Sequence, residues 1–216
     1  MDIHETEEQQ VEALKKWWKD NGSSIITGIL LGLAVVFAGK SWLAYQERQS
    51  QLASDIYTGM MAALANEKET VVTEQAGILI ANYPDTPYAP IAALALAKLR
   101  LANGDLAAAR TQLQWALDNA GSGVLRQTVR LRLAHVMVAE GDLDAAEALL
   151  VDVVPDAAFV PLYADLRGDI QLARGNIGDA RDEYAQALTL MNPNAPGRQL
   201  LQLKHDDIRL PEGEPQ

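Results

Sequence analysis

Three histidines, His4, His135 and His205, are the side chains best suited to move a proton or bind a metal near neutral pH. They stand in three separate segments, and none has a second ligand at metal spacing. Asp142, Asp144 and Glu147 gather at the start of a helical stretch, where carboxylates favour the helix dipole; capping accounts for them better than a cation site. Asp206-Asp207 reads as a solvated pair and Trp115 as a packing residue. There is no cysteine, which removes disulfides, thiolate zinc sites and Cys nucleophiles, and fits oxidising and reducing compartments alike. The sequence carries no Gly-x-Ser-x-Gly elbow, phosphate-binding glycine loop or dinucleotide fingerprint. It therefore predicts a non-enzymatic protein with no cofactor, metal or small-molecule substrate.

The composition predicts an all-α fold. Ala and Leu dominate, aromatics make up 6%, and strand formers nowhere alternate with period two. A net charge of −11 with no Lys/Arg stripe argues against nucleic acid. That acidity keeps an exposed domain soluble and favours basic partners at long range.

From Asn21 to Gly39 no side chain is ionisable, a run of about 19 residues or roughly 28 Å of helix, close to the hydrocarbon thickness of a bilayer. Trp17 and Trp18 precede it, and Trp42 and Tyr45 follow, placing amphipathic rings near both interfaces. A buried core helix would not need those flanks. Val36-Phe37-Ala38 could pass for a signal-peptidase site, but the acidic stretch ahead of the span and the helical pattern after it favour an uncleaved signal anchor. Lys15, Lys16 and Lys19 on one side against Lys40 and Arg48 on the other give a thin bias towards a cytosolic N-terminus. Gly28-x-x-x-Gly32 has the spacing that lets two membrane helices approach, although glycine is common in such helices anyway. Ahead of the span, Val11, Leu14 and Trp18 suggest a short amphipathic helix at the membrane face, with a break at Asn21-Gly22. After it, Leu52, Ile56, Met60 and Leu64 form one stripe, and 65–70 reads as a turn.

Three later stretches share a helix–turn–helix grammar. Their turns are Gly104-Asp105, Gly141-Asp142 and Gly175-Asn176, spaced about 37 and 34 residues apart, the period of a tetratricopeptide array. Glycine suits the left-handed position that ends the first helix, and Asp or Asn can cap the second. Small residues recur at Ala97, Ala134 and Gly168 before the turns and at Ala109, Ala146 and Ala180 after them, as close helix pairing requires. Ile78, Leu79 and Tyr83 look like the closing helix of an incomplete earlier repeat. The second repeat is expected to run through Leu150 and end at Pro155; Leu200, Leu201, Leu203 and Ile208 belong to a capping helix. Leu101, Val138 and Leu172 are equivalent on the face such arrays turn inward, with Lys98, His135 and Asp169 one turn earlier. These six form a candidate protein-binding groove, and an ordinary core role for the three apolar ones fits equally well.

With span and repeats placed, the chain resembles the YfgM family, ancillary subunits of the bacterial SecYEG translocon. The resemblance runs end to end and is most specific at Gln10-Val11-Glu12-Ala13-Leu14-Lys15-Lys16-Trp17-Trp18 with Asn21-Gly22, at Ala164-Asp165-Leu166-Arg167-Gly168, and at Leu201-Gln202-Leu203-Lys204. It implies an inner-membrane protein of single-pass type II topology, with repeats in the periplasm. It further implies association with SecYEG and with a PpiD-like membrane-anchored chaperone, and help in passing newly translocated, unfolded proteins to the periplasmic chaperone network. The alternative is a helical-repeat scaffold for another cell-envelope assembly that touches no client. The expected organisation is a cytosolic amphipathic segment (1–20), a transmembrane signal-anchor helix (21–45), a connecting helix and turn (46–69), tetratricopeptide-like repeats with a capping helix (70–208) and a flexible tail (209–216).

Overall fold

The computed structural model describes residues 7–151 and 153–208, so His4 and the tail at 209–216 lie outside the described residues. Every regular element among the described residues is an α-helix. In chain order they are α1 (Glu7–Ala65), α2 (Glu69–Asn82), α3 (Tyr88–Ala102), α4 (Leu106–Asn119), α5 (Val124–Glu140), α6 (Leu143–Ala148), α7 (Val160–Ala173), α8 (Ile177–Leu190) and α9 (Arg198–Asp207). The chain divides into two compact units, Met1–Gln51 and Leu52–Gln216.

The first unit consists of the greater part of α1. The helix does not break at Asn21-Gly22, where the sequence suggested an end. Gly22 ends no turn because its backbone is not left-handed. It is buried beneath Trp18 instead, and a Cβ there would sit 3.2 Å from the indole. The Asn21 amide donates to the Trp17 carbonyl one turn back at 3.0 Å, a bond a helix interior accommodates.

The second unit is a row of helical hairpins. Three turns share one geometry. Gly104, Gly141 and Gly175 have φ of +76°, +81° and +83°. Their N–H groups donate to Leu101, Val138 and Leu172, and the next residues' N–H groups reach back to Arg100, Met137 and Gln171 at 2.9 Å. This is the left-handed helix terminus that consumes orphan carbonyls, and glycine adopts it without a Cβ penalty. Asp105 and Asp142 then cap α4 and α6 by accepting from Ala108 and Ala145. Asn176 makes no such bond; its amide donates to Gln171 Oε1 instead.

A fourth turn of this kind stands upstream, beyond the sequence signature. Glu67 holds φ +56°, its N–H donates to Leu64, and the Lys68 N–H donates to Ala63. The end of α1 and α2 are thus the first hairpin, so the repeat pattern begins before residue 70. Ala53, Met60 and Ala63 of α1 pack with Val72, Ala76 and Leu79 of α2 and with α3. Within the stripe read from sequence, Ile56, Met60 and Leu64 join this core, whereas Leu52 is exposed and Ala53 takes the buried place.

α3 is buried without interruption from Ala92 to Ala97 because both its sides are covered. Ala92, Ala95 and Leu96 face the first core, while Ala93, Leu94 and Ala97 face the central one with α4 and α5. α7 plays the same part at the other end. Tyr163, Leu166 and Ile170 complete the central core, and Ala164 packs with α8 and α9. A helix apolar nearly all round is what such sandwiching selects.

The second repeat is shorter than expected. α6 stops at Ala148, and 149–151 form turns rather than helix. Val151, Val153 and Val154 are β-branched, and Pro155 pushes its predecessor out of the helical region. The irregular stretch beyond is tied back where the Asp156 N–H donates to Gln127 Oε1 on α5.

Candidate protein-binding face

The six residues proposed from the repeat alignment fall on α3, α5 and α7, the first helices of three successive hairpins. Leu101 and Leu172 are exposed, at 41% and 39%, next to the turns that end their helices. Val138 is half-buried and packs against the central core, which is the ordinary structural role. Lys98 and His135 are exposed, and Asp169 is half-buried.

Lys98 and Leu101 flank an open depression of about 370 Å³ whose lining also includes Leu94, Ala97, Leu113 and Arg132. Its floor is core: Ala97 and Leu113 are almost fully buried. Lys98 also borders a second depression, with Leu64, Lys68, Val72 and Leu99, between the first two hairpins.

At α7 the arrangement is different, because Asp169 is already occupied from within the chain. Lys204 of α9 donates to Asp169 Oδ1 at 2.7 Å and to Asp165 Oδ1 at 2.8 Å. The Tyr184 hydroxyl of α8 donates to the same Asp169 Oδ1 at 2.7 Å, and the Lys204 ammonium stands 5.5 Å from the Tyr184 ring centre. Burial alone would lower the Lys204 pKa, but the two aspartates outweigh it and hold the ammonium charged above its ordinary value. Burial and the bond to Asp169 raise that of Tyr184, which stays a hydroxyl donor. His135 Nδ1 is 3.9 Å from Asp169 Oδ2. Partial desolvation nevertheless lowers the His135 pKa, and Lys204 adds to that lowering against the attraction of Asp169. The balance favours the neutral imidazole, and with 49% of its side chain exposed His135 belongs to the surface of the face.

Sequence reasoning named Asp169 but missed its partners Lys204 and Tyr184, and Asp165, which shares the Lys204 ammonium with it. The signal available was spacing: Asp165 and Asp169 lie one helical turn apart, with Gly168 beside them to admit a ring. Two arginines were also missed. Arg126 donates to the carbonyls of Leu117 and Ala120, closing the end of α4. Arg198 does the same for Leu188 and Met191 at the end of α8. Each sits on the helix that follows the terminus it closes.

In the first unit, a Cβ at Gly28 or Gly32 would meet nothing within 4 Å, so both glycines face outward. Ile29, Leu30, Leu31, Leu33, Val35, Val36 and Phe37 are exposed too, which a soluble core helix would bury. The segment is long and apolar enough to cross a membrane. No group of three or more His, Cys, Asp or Glu side chains that could hold a metal ion occurs among the described residues.

Both halves of this arrangement recur in known proteins. The tetratricopeptide repeat-like domain family matches residues 15–210, so the match takes in the apolar helix as well as the repeats. A protein of Haemophilus influenzae named ancillary SecYEG translocon subunit is 34% identical over 181 residues, 84% of this chain and 88% of its own length. Its namesakes from Escherichia coli and Neisseria gonorrhoeae are 29% and 28% identical, covering 85% and 97% of this chain and 88% and 100% of their own. No solved structure matches the chain significantly. Matched by the family model and by these relatives over most or nearly all of its length, the chain belongs to the family of ancillary SecYEG translocon subunits, built on a tetratricopeptide repeat-like domain.

Proposed function

We propose that this protein is a non-enzymatic, membrane-anchored adaptor that sits at the SecYEG translocon and helps pass newly translocated proteins to periplasmic chaperones. The observation that carries the reading is the end-to-end match to relatives named as translocon subunits, which spans 97% of the chain in the Neisseria gonorrhoeae case. The apolar part of α1 anchors the protein in the inner membrane as a single-pass type II span, with the repeats in the periplasm. Gly28 and Gly32 present a smooth, outward-facing strip against which a translocon or partner helix can pack. Anchoring raises the local concentration of the repeats beside the channel exit, so individually weak contacts with a PpiD-like chaperone or an emerging chain suffice. The groove residues Lys98, Leu101, His135, Val138 and Leu172 form the contact face, and Asp169 supports it through its bonds to α8 and α9.

The association is tested by brief crosslinking of native membranes, mild detergent extraction, purification through a C-terminal tag and mass spectrometry of the co-purifying proteins. Recovery of SecY with a periplasmic chaperone is expected; recovery of division or secretion scaffolds without the translocon refutes it. Topology is tested separately. Since the chain has no native cysteine, Leu200→Cys should react with an impermeant maleimide in spheroplasts while Ala13→Cys stays protected. The reverse pattern rules out a periplasmic repeat domain.

A further inference from the structure

We propose that the depression bounded by α3, α4 and α5 docks an acidic, leucine-bearing segment of a partner protein, with Lys98 and Arg132 as its carboxylate receptors. The inference deepens the adaptor reading above and rests on it for the existence of a partner; the chemistry of that partner comes from the groove itself.

Six of the twelve lysines and arginines described in the second unit are committed, and of the other six only Lys98 and Arg132 line the depression between α3, α4 and α5. Arg110 pairs with Glu140 and Asp142, Arg167 with Glu183, Arg174 with Asp144 and Glu147, and Lys204 with Asp165 and Asp169. Arg126 and Arg198 are bound to helix-end carbonyls. Lys98 and Arg132 are exposed and, among the described residues, have no ion pair or hydrogen bond from their side chains. They line the same depression, and its lining contains no carboxylate. In a chain of net charge −11 that local balance is the reverse of the whole.

The remaining walls are apolar: Leu94, Ala97, Leu101 and Leu113. A volume of about 370 Å³ takes a leucine-sized side chain or two, with flanking carboxylates in reach of the ammonium and guanidinium. Guanidinium prefers carboxylate because its forked donors match both oxygens. On the α7 side the neighbouring face does not oppose such a segment, whereas on the α2 side Glu67 and Glu69, beside Lys68, direct it away from the adjoining depression. Asp165 and Asp169 are held by Lys204, and His135, one turn along from Arg132, adds no negative charge. At physiological ionic strength, charges beyond about 8 Å are largely screened, so the local cations outweigh the bulk acidity at contact.

The test uses the full chain in mild detergent and three fluorescein-labelled hexapeptides in which two leucines alternate with glutamate, glutamine or lysine. Anisotropy should rank the glutamate peptide first and the lysine peptide last. The double variant K98E/R132E should bind the glutamate peptide about ten-fold more weakly and gain affinity for the lysine peptide, while R100E, on the same helix but outside the depression, stays within about two-fold. K98Q/R132Q, which reverses no charge, should show the same loss in smaller degree and serves if the first variant does not fold. Equal binding of the glutamate and glutamine peptides, best binding of the lysine peptide, or full glutamate-peptide affinity in either variant overturns the proposal. Because peptide binding is measured on purified protein and translocon recovery in membranes, either reading can fail while the other stands.

Discussion

Replacing Gly168 by alanine should destabilise the repeat domain, although alanine is the better helix former. The site lies in the interior of α7, where removing a glycine normally gains up to about 1 kcal/mol. Here an added Cβ would lie 2.5 Å from Tyr184 Cδ1, about 1 Å inside ordinary carbon–carbon contact. The ring cannot easily withdraw. Tyr184 is fully buried, its hydroxyl is bound to Asp169, and the Lys204 ammonium lies over it. Overpacking of this kind costs about 1–3 kcal/mol, and displacing the hydroxyl from Asp169 adds about 1 kcal/mol. Against the helix gain, the net loss is about 2 kcal/mol, or a Tm lower by about 4–8 °C for a domain of this size. Gly77 supplies the control, since it is helical in α2, exposed, and its added Cβ meets nothing within 4 Å. Gly77→Ala should raise stability by about 0.5–1 kcal/mol. Urea unfolding of the full chain in detergent, read by circular dichroism, measures both. In a Tyr184→Leu background the cost of Gly168→Ala should shrink or change sign, since the obstructing ring is gone. If Gly168→Ala stabilises the protein as Gly77→Ala does, the close approach of α7 and α8 is not what glycine provides there.

Lys204→Met keeps the aliphatic stem but strips Asp165 and Asp169 of their cation; with all three side chains about one-fifth to one-quarter exposed, the loss should be about 2 kcal/mol, and hydrogen exchange should speed up in α9 before α3. Arg126→Ala and Arg198→Ala should each cost about 1 kcal/mol by freeing helix-end carbonyls, with Lys in place of either arginine recovering part of it in thermal melts. The lowered His135 pKa makes the unfolded chain take up that proton first as pH falls. Its contribution is complete above the unfolded value near 6.5 and declines below it, so His135→Gln should flatten the dependence of Tm on pH between about 7.5 and 5.

The array was legible where its turns are made by glycine and partly hidden where they are not. Gly104, Gly141 and Gly175 announce themselves because no other residue adopts a left-handed backbone without strain. Glu67 does the same work in the first turn and leaves no mark in composition, so the first hairpin read as a connector. The small residues at Ala97, Ala134 and Gly168 pointed correctly to tight helix pairing, since a close approach allows few side chains. The length of α6 was not legible: a helix-compatible run ending in valines and Pro155 fits either a full helix or the short one found, and tertiary packing decides. Asn21-Gly22 misled for the opposite reason. The pair is a common helix terminus, yet Gly22 serves by making room for the Trp18 ring.

The groove shows where repeat alignment stops being informative. Alignment places Lys98, His135 and Asp169 in equivalent positions, and equivalence suggests one shared role. Three-dimensional neighbours divide them: among the described residues the Lys98 side chain has no ion pair or hydrogen bond where it lines the depression with Arg132, while Asp169 is bound to Lys204 and Tyr184 from the two helices that come after α7. The difference arises because α7 is the last of the repeat-opening helices and must be closed by α9, whereas α3 is flanked by like hairpins on both sides. Two of the segments that carry the resemblance in sequence, Ala164-Asp165-Leu166-Arg167-Gly168 and Leu201-Gln202-Leu203-Lys204, meet at that closure through the Lys204–Asp165 bond and through the core shared by Ala164 and Leu201. In this chain both segments therefore serve stability at the end of the array. If the proposed docking of an acidic segment holds, substitutions at the exposed Lys98, Leu101 and Arg132 of α3 and α5 should alter recognition while leaving thermal stability near that of the parent protein.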